Sequence, residues 1–237
     1  VRQLLAFGRR QKLELQALDM NEIVSGMLKM IRRLIGEHIE MAFEPGPGEA
    51  MIHADRGQIE QIIVNLCVNA RDAMHQGGRL VLEVNTREID AAFTSRFMET
   101  RPGAYLVLHV SDSGTGIHPD IQDRIFEPFF TTKEVGEGTG LGLATVYAIV
   151  KRHEGFLEMD SRLGHGTSFH IYLPVYVPGM ETPAADEAEA PAPLRGNSET
   201  ILIAEDDEQV RFLAERILKR AGYRVLLAKD GEEATEM

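Results

Sequence analysis

The sequence predicts an α/β sandwich, one mixed sheet with helices packed on one face, followed by a short βαβ segment. Three observations carry this expectation. Stretches with apolar residues at helical spacing alternate with stretches that read as strands, a mixture that two packed layers satisfy. Residues 178–198 (PGMETPAADEAEAPAPLRGNS) are rich in Pro, Ala and acids and have no periodicity, so they read as a linker. Order resumes at Glu199.

Taken in order, residues 1–19 read as the end of a helix, with Leu4, Leu5, Phe7, Leu13, Leu15 and Leu18 among basic and polar residues. Leu18-Asp19-Met20-Asn21 breaks it, with a cap at Asp19 or Asn21. Ile23, Val24, Met27, Leu28, Ile31 and Leu34 fall at helical spacing. Ile39 to Phe43 reads as a short strand, and Glu44 to Gly48 as a turn. A strong helix is expected from Arg56 to Met74, with Ile59, Ile62, Ile63, Leu66, Ala70 and Ala73 on one face and Gly77-Gly78 ending it. Strands follow at Leu80–Arg87 and Ala104–Ser111. Gly142–His153 reads as a helix, and Phe156–Met159 with Thr167–Leu173 as a hairpin. Beyond the linker come a strand at 201–204, a helix from about Glu208 to Ala221, a strand at 224–228 and a helix starting at Gly231.

Composition bounds what the chain does. Its 237 residues suggest one or two domains. A net charge of −12 argues against a nucleic-acid partner, which needs a basic face. It is compatible with a nucleotide, because loop amides, a lysine and a metal ion hold phosphates inside acidic proteins. A lone Cys67 rules out an internal disulfide and suits a reducing cytoplasm. No apolar run approaches the ~20 residues that cross a bilayer, and the first residues do not read as a signal peptide. The chain starts at Val1 and is expected to be cut from something longer, in which a membrane anchor is conceivable.

Several short patterns carry chemistry. Asp112-Ser113-Gly114-Thr115-Gly116 follows a strand; its carboxylate suits an exocyclic amine and its glycines a close approach to a ring, while an ordinary turn is the plain alternative. Asn65 and Asn69 share one helix face; they read either as oxygen donors to Mg²⁺ or as amides bonded to backbone. Gly136 to Ala144 carries four alternating glycines at a helix start, which suits phosphate or a hinge. Phe126-Glu127-Pro128-Phe129-Phe130 reads as an aromatic anchor, and Lys133 behind it can reach a phosphate.

Order along the chain says more than any single pattern. N-L-x-x-N-A-R-D-A-M (65–74), D-S-G-T-G-I (112–117), F-E-P-F-F-T-T-K (126–133), G-E-G-T-G-L-G-L (136–143) and G-H-G-T-S-F (164–169) follow one another. This strongly resembles the ATP-binding domain of bacterial sensor histidine kinases, with its N, G1, F, G2 and G3 boxes, across about residues 20–177. The wider superfamily includes gyrase, a heat-shock chaperone and the mismatch-repair ATPases. The resemblance implies that Asn69 holds Mg²⁺, with Asn65 beside it. It implies that Asp112 accepts from the adenine amine, with Gly114 and Gly116 under the base and Thr167 in support. Phe126 to Gly140 would be the ATP lid, with Lys133 at the terminal phosphates and the amides of Gly138, Gly140, Leu141 and Gly142 along the phosphate chain.

Gyrase and the chaperone carry a glutamate where Asn65 stands. An amide cannot act as a general base, so Asn65 points to transfer rather than hydrolysis. Glu60, earlier on the helix, is a second base candidate or a solvated acid. The family's nucleophile is a histidine on a preceding dimerisation domain. Val1–Gln16 resembles the end of that domain's second helix, and no phosphoacceptor box precedes it. None of His38, His53, His75, His109, His118, His153, His165 and His170 is expected to be phosphorylated.

Residues 199–237 resemble the start of a receiver domain, truncated before its phosphate-accepting aspartate, with Asp206 and Asp207 as an incomplete Mg²⁺ pair. At about 39 residues this piece is expected to fold poorly alone. The expectation is therefore a cytoplasmic, ATP- and Mg²⁺-dependent hybrid histidine kinase, a homodimer at full length. Its partners are its own dimerisation domain and a receiver or response regulator. An ATP-hydrolysing clamp and a non-enzymatic ATP-sensing or docking module are the rivals.

Overall fold

Asp19 closes one element and starts the next. The computed structural model describes residues 13–46, 48, 50–90, 93, 100–133, 138–176, 199–204, 211, 215, 218, 219 and 222–236. The extended backbone of Asp19 lets its carboxylate accept from Asn21 N–H at 2.8 Å, which satisfies a free donor of α1 (Met20–Ile35). Its apolar stripe, Met20, Ile23, Val24, Met27, Ile31 and Ile35, is buried. The helix ends at Gly36, whose φ is +88° and whose N–H returns to the Arg32 carbonyl.

The segment before Asp19 corrects the expectation of a helix through residue 19. Gln16–Asp19 is a strand, β1, antiparallel to β3 (Met51–Ala54) with Leu18 opposite Ile52. Pairing there satisfies the backbone of both short segments and leaves Leu18 only 4% exposed. Residues 1–12 lie outside the described residues.

β2 (Ile39–Glu44) leads through β3 to α2 (Arg56–Ala73), capped by Asp55 on Gln58 N–H at 3.1 Å. Then come β4 (Gly78–Ile89), β5 (Gly103–Asp112), the single turn α3 (Pro119–Gln122), α4 (Gly142–Arg152), β6 (Phe156–Arg162) and β7 (Gly166–Pro174). The five-stranded sheet has the order β2-β4-β5-β7-β6. It is mixed: β2 runs parallel to β4, and the other pairs are antiparallel.

Helices cover one face, as expected. Leu80, Leu82, Val84, Leu106, Leu108, Val110, Phe169, Ile171 and Leu173 meet the apolar stripes of α1, α2 and α4 in one core. The opposite face carries Ile89, Tyr105, Val107, Phe156 and Tyr172. α4 is fixed to α2 at two points. The Asn65 amide donates to the Gly142 carbonyl at 3.2 Å, and the His153 ring accepts from Asp55 N–H at 3.1 Å. His153 donates its other nitrogen to the Ile149 carbonyl at 2.9 Å.

The chain divides into two units, Val1–Met180 and Glu181–Met237. In the second, β8 (Thr200–Ala204) and β9 (Arg224–Ala228) pair in parallel, and α5 spans Gly231–Glu236. Most of the helix expected at 208–221 lies outside the described residues. No described helix is long and apolar enough to cross a membrane.

Candidate functional site

Two recesses lie around the C-terminal half of α2 and the end of the sheet. The first is a cavity of about 380 Å³ lined by Asn65, Asn69, Arg71 and Asp72 of α2, by Ile117, Ile121 and Ile125, by Phe130 to Lys133, by Gly138 to Gly140, and by Gly142 and Leu143 of α4. The second, of about 370 Å³, is lined by Ser111 and Asp112 of β5 and by Asp160 to Arg162 and His165 to Ser168 of the β6–β7 hairpin. The five residues after Asp112 run from one to the other, since Ile117 reaches the first cavity.

Helical spacing places Asn65, Asn69 and Asp72 on adjoining turns of α2. Asn65 spends its N–H₂ on Gly142, so one of the two amides joins helices. Asn69 makes no side-chain hydrogen bond to another described residue. A Cβ built on Gly142 would stand 3.9 Å from its amide, so the start of α4 approaches without closing on it. No side chain caps α4, whose first residues open onto the cavity. Free helical N–H groups and the dipole there favour an anion.

From the opposite wall comes Lys133, whose ammonium meets a carboxylate oxygen of Asp72. Arg71 holds the other oxygen through Nε at 2.8 Å and Nη2 at 2.6 Å. Burial alone would raise the Asp72 carboxyl, but the two cations outweigh it and hold it below the usual carboxylate range. Among the described residues lining this cavity Asp72 is the sole acid. The sequence reading gives it no role, although its place three residues after Asn69 puts it on the same side of the helix.

The loop carrying Lys133 has a closed stem. Phe129 N–H donates to the Gly140 carbonyl at 2.9 Å, and both residues are left-handed, at φ +68° and +63°. A Cβ at Gly140 would fall 2.3 Å from the Phe129 carbonyl carbon, so the close approach requires glycine. Phe126 and Phe130 pack against the core as anchors, whereas Phe129, expected to join them, is 61% exposed. Gly138 packs against Thr131 and the Lys133 stem. The Leu141 N–H turns to Thr139 Oγ1 at 3.4 Å, and Leu141 does not line the cavity.

In the second recess, burial raises the Asp112 carboxyl above its ordinary value, while the N–H groups of Gly114 and Thr167 draw it back. The Gly114 N–H bond is 2.8 Å. Thr167 is buried, and its hydroxyl lies 2.9 Å from that of Ser161. Gly114 and Gly116 line neither recess; their missing Cβ atoms make room for Ala73 and for the Arg162 carbonyl. Nothing in the sequence marked Ser161, which also accepts from Ile117 N–H at 2.8 Å. Glu60 pairs with Arg56 at 3.7 Å on the helix surface, away from both recesses. Asp206 and Asp207 lie outside the described residues. Among the described residues no group of three or more His, Cys, Asp or Glu is placed to hold a metal ion.

Comparison with known proteins bears on both recesses. The family described as histidine kinase-, DNA gyrase B-, and HSP90-like ATPase matches residues 54–177. The chain is 43% identical over 247 aligned positions to sensor kinase CckA of Brucella abortus (strain 2308), covering 100% of this chain and 26% of the relative. It is 35% identical to sensor histidine kinase ZraS of Escherichia coli (strain K12), covering 75% of this chain and 35% of the relative. It thus spans about a quarter to a third of the length of these relatives. Among solved structures, full-length ShkA in complex with AMPPNP superposes with a TM-score of 0.57 at 27% identity, over 97% of this chain and 44% of that one. The mycobacterial sensor histidine kinase MprB gives 0.53 at 28% identity, over 68% of this chain and 97% of that one.

Proposed function

Since the chain belongs to the histidine kinase-, DNA gyrase B-, and HSP90-like ATPase family, we propose that it binds ATP with Mg²⁺ and passes the γ-phosphoryl to a histidine of a dimerisation domain. In the whole protein, a homodimer, the phosphoryl would then travel to a receiver aspartate. The divisions proposed are an ATP-binding domain over 20–177, a linker over 178–198 and the start of a receiver over 199–237. Sensor kinase relatives support this assignment.

One observation carries the reading. The Asn69 amide, the Lys133 ammonium and the uncapped start of α4 all open onto one cavity, which is a donor set for phosphates. Magnesium, when bound, would be held by the Asn69 carboxamide and would supply positive charge to offset that of the phosphates. The residues fit it: a hard ion taking most of its oxygens from phosphates and water needs only one or two from protein, and the Asn69 carboxamide is not engaged by another described residue. Asp112, fixed by the N–H of Gly114 and of Thr167, would accept from the adenine amine in the second recess. Lys133 would offset charge on the terminal phosphate. Positioning and charge neutralisation supply most of the catalysis in such transfers.

Asn65 cannot take a proton from water, and its N–H₂ is bonded to Gly142. That favours transfer to a supplied histidine over hydrolysis. The test mixes this chain with a matching dimerisation domain and labelled ATP. Acid-labile label is expected on the added domain and is expected to disappear in Asn69→Ala and Asp112→Ala. Persistent labelling in Asn69→Ala contradicts the metal role.

A further inference from the structure

The Lys133 ammonium that a terminal phosphate needs is engaged by the cavity's own acid. Both Asp72 oxygens are occupied, one by the two nitrogens of Arg71 and the other by Lys133. Arg71 also donates to the Leu34 carbonyl at 3.3 Å, so the carboxylate is held by a side chain that is itself tied to α1. Lys133, by contrast, is exposed and follows the exposed Thr131 and Thr132. Asp72 is the fixed partner of this pair and Lys133 the movable one.

We propose that Asp72 is a positioning residue that competes with the terminal phosphate for Lys133, and so sets both the affinity for nucleoside triphosphate and its preference over diphosphate. This rests on the nucleotide reading above. Two anions cannot both take the lysine's full charge in one cavity, so binding of the phosphate includes the cost of breaking the Asp72–Lys133 pair. That cost selects for a ligand with enough charge to break it. A diphosphate, lacking the γ group, leaves the pair intact. The pair also ties the loop to α2, so releasing it frees the loop at the moment the ligand is engaged.

The experiment measures ATP and ADP affinities with Mg²⁺ by calorimetry on the full 237-residue chain, comparing wild type, Asp72→Asn, Lys133→Ala and the double variant. Asp72→Asn is expected to tighten ATP binding about threefold to tenfold, the range set by a half-exposed ion pair and by the fraction of competent lysine. ADP affinity is expected to stay within about twofold, and the ATP gain to vanish in the Lys133→Ala background. Unchanged or weaker ATP binding in Asp72→Asn, or a gain that survives loss of Lys133, overturns the proposal. A wild type that binds neither nucleotide overturns the functional reading itself, which keeps the two failures apart. Lys133→Ala gives a second reading that needs no change in α2: amide exchange at Thr131 to Lys133, without nucleotide, is expected to accelerate. Unchanged exchange there also overturns the proposal.

Discussion

Replacing Gly140 by alanine tests whether the closed stem of the lysine loop is what nucleotide binding requires. Two costs follow from the structure. Gly140 sits at φ +63°, where an L side chain costs roughly 1–2 kcal/mol. Its new Cβ would fall 2.3 Å from the Phe129 carbonyl carbon and 2.5 Å from its oxygen, which are backbone atoms that cannot rotate away. The stem must therefore part, and with it goes the Phe129 N–H bond to the Gly140 carbonyl, about 1 kcal/mol more. A sum of about 2–3 kcal/mol corresponds to roughly thirty- to a hundred-and-fortyfold in a binding constant. Gly164→Ala is the control: its φ is +78°, but nothing lies within 4 Å of the added atom. Calorimetry with ATP and Mg²⁺ is expected to show at least a tenfold loss for Gly140→Ala and a change under about twofold for Gly164→Ala. Melting of the Gly140 variant is expected to stay close to wild type, because the strained contact lies in a loop outside the core. Wild-type affinity in Gly140→Ala would refute the argument, as would an equal loss in both variants.

Three further outcomes follow. His153 is held neutral by burial, which pushes its pKa below 6.5, and its ring must accept from Asp55 N–H. With the folded value depressed, its contribution to stability is full above about 6.5 and declines as pH falls below that value towards the folded one; thermal melts from pH 7.5 to 5 are expected to show the decline, and His153→Gln to flatten it. Asn65→Asp sets a carboxylate against the Gly142 carbonyl at the 3.2 Å contact, costing about 1–3 kcal/mol, visible in denaturant melts together with weaker ATP binding. Burial pushes the Cys67 thiol up to about 12, so a thiol reagent at pH 8 is expected to label the native chain far more slowly than the denatured one.

What the sequence revealed follows the strength of its periodic signals. α2 was legible because Ile59, Ile62, Ile63, Leu66 and Ala70 repeat along one face and Asp55 caps it. The strands β4, β5 and β7 were legible from alternation, each running one or two residues further than expected at its ends. β1 and β3 were not, because four residues give too short a run to separate strand from helix, and each takes its conformation from the other. The single turn α3 was missed for the same reason of length. At the site, residue types pointed to Asn69, Lys133, Gly140 and Asp112 one by one. Spacing could not show that Asn65 is bonded to Gly142, 77 residues away, or that Asp72 and Lys133 meet across 61. Such pairs form only after the sheet and helices have brought distant segments together.

The two attachments of α4 to α2 decide how the glycine-rich loop can travel. They lie ten residues apart on α2, roughly 15 Å along its axis. Rotation about either one is blocked by the other. The post of the loop at Gly142 is thus tied to α2 at both ends of its helix, so a displacement of Lys133 would leave the start of α4 in place.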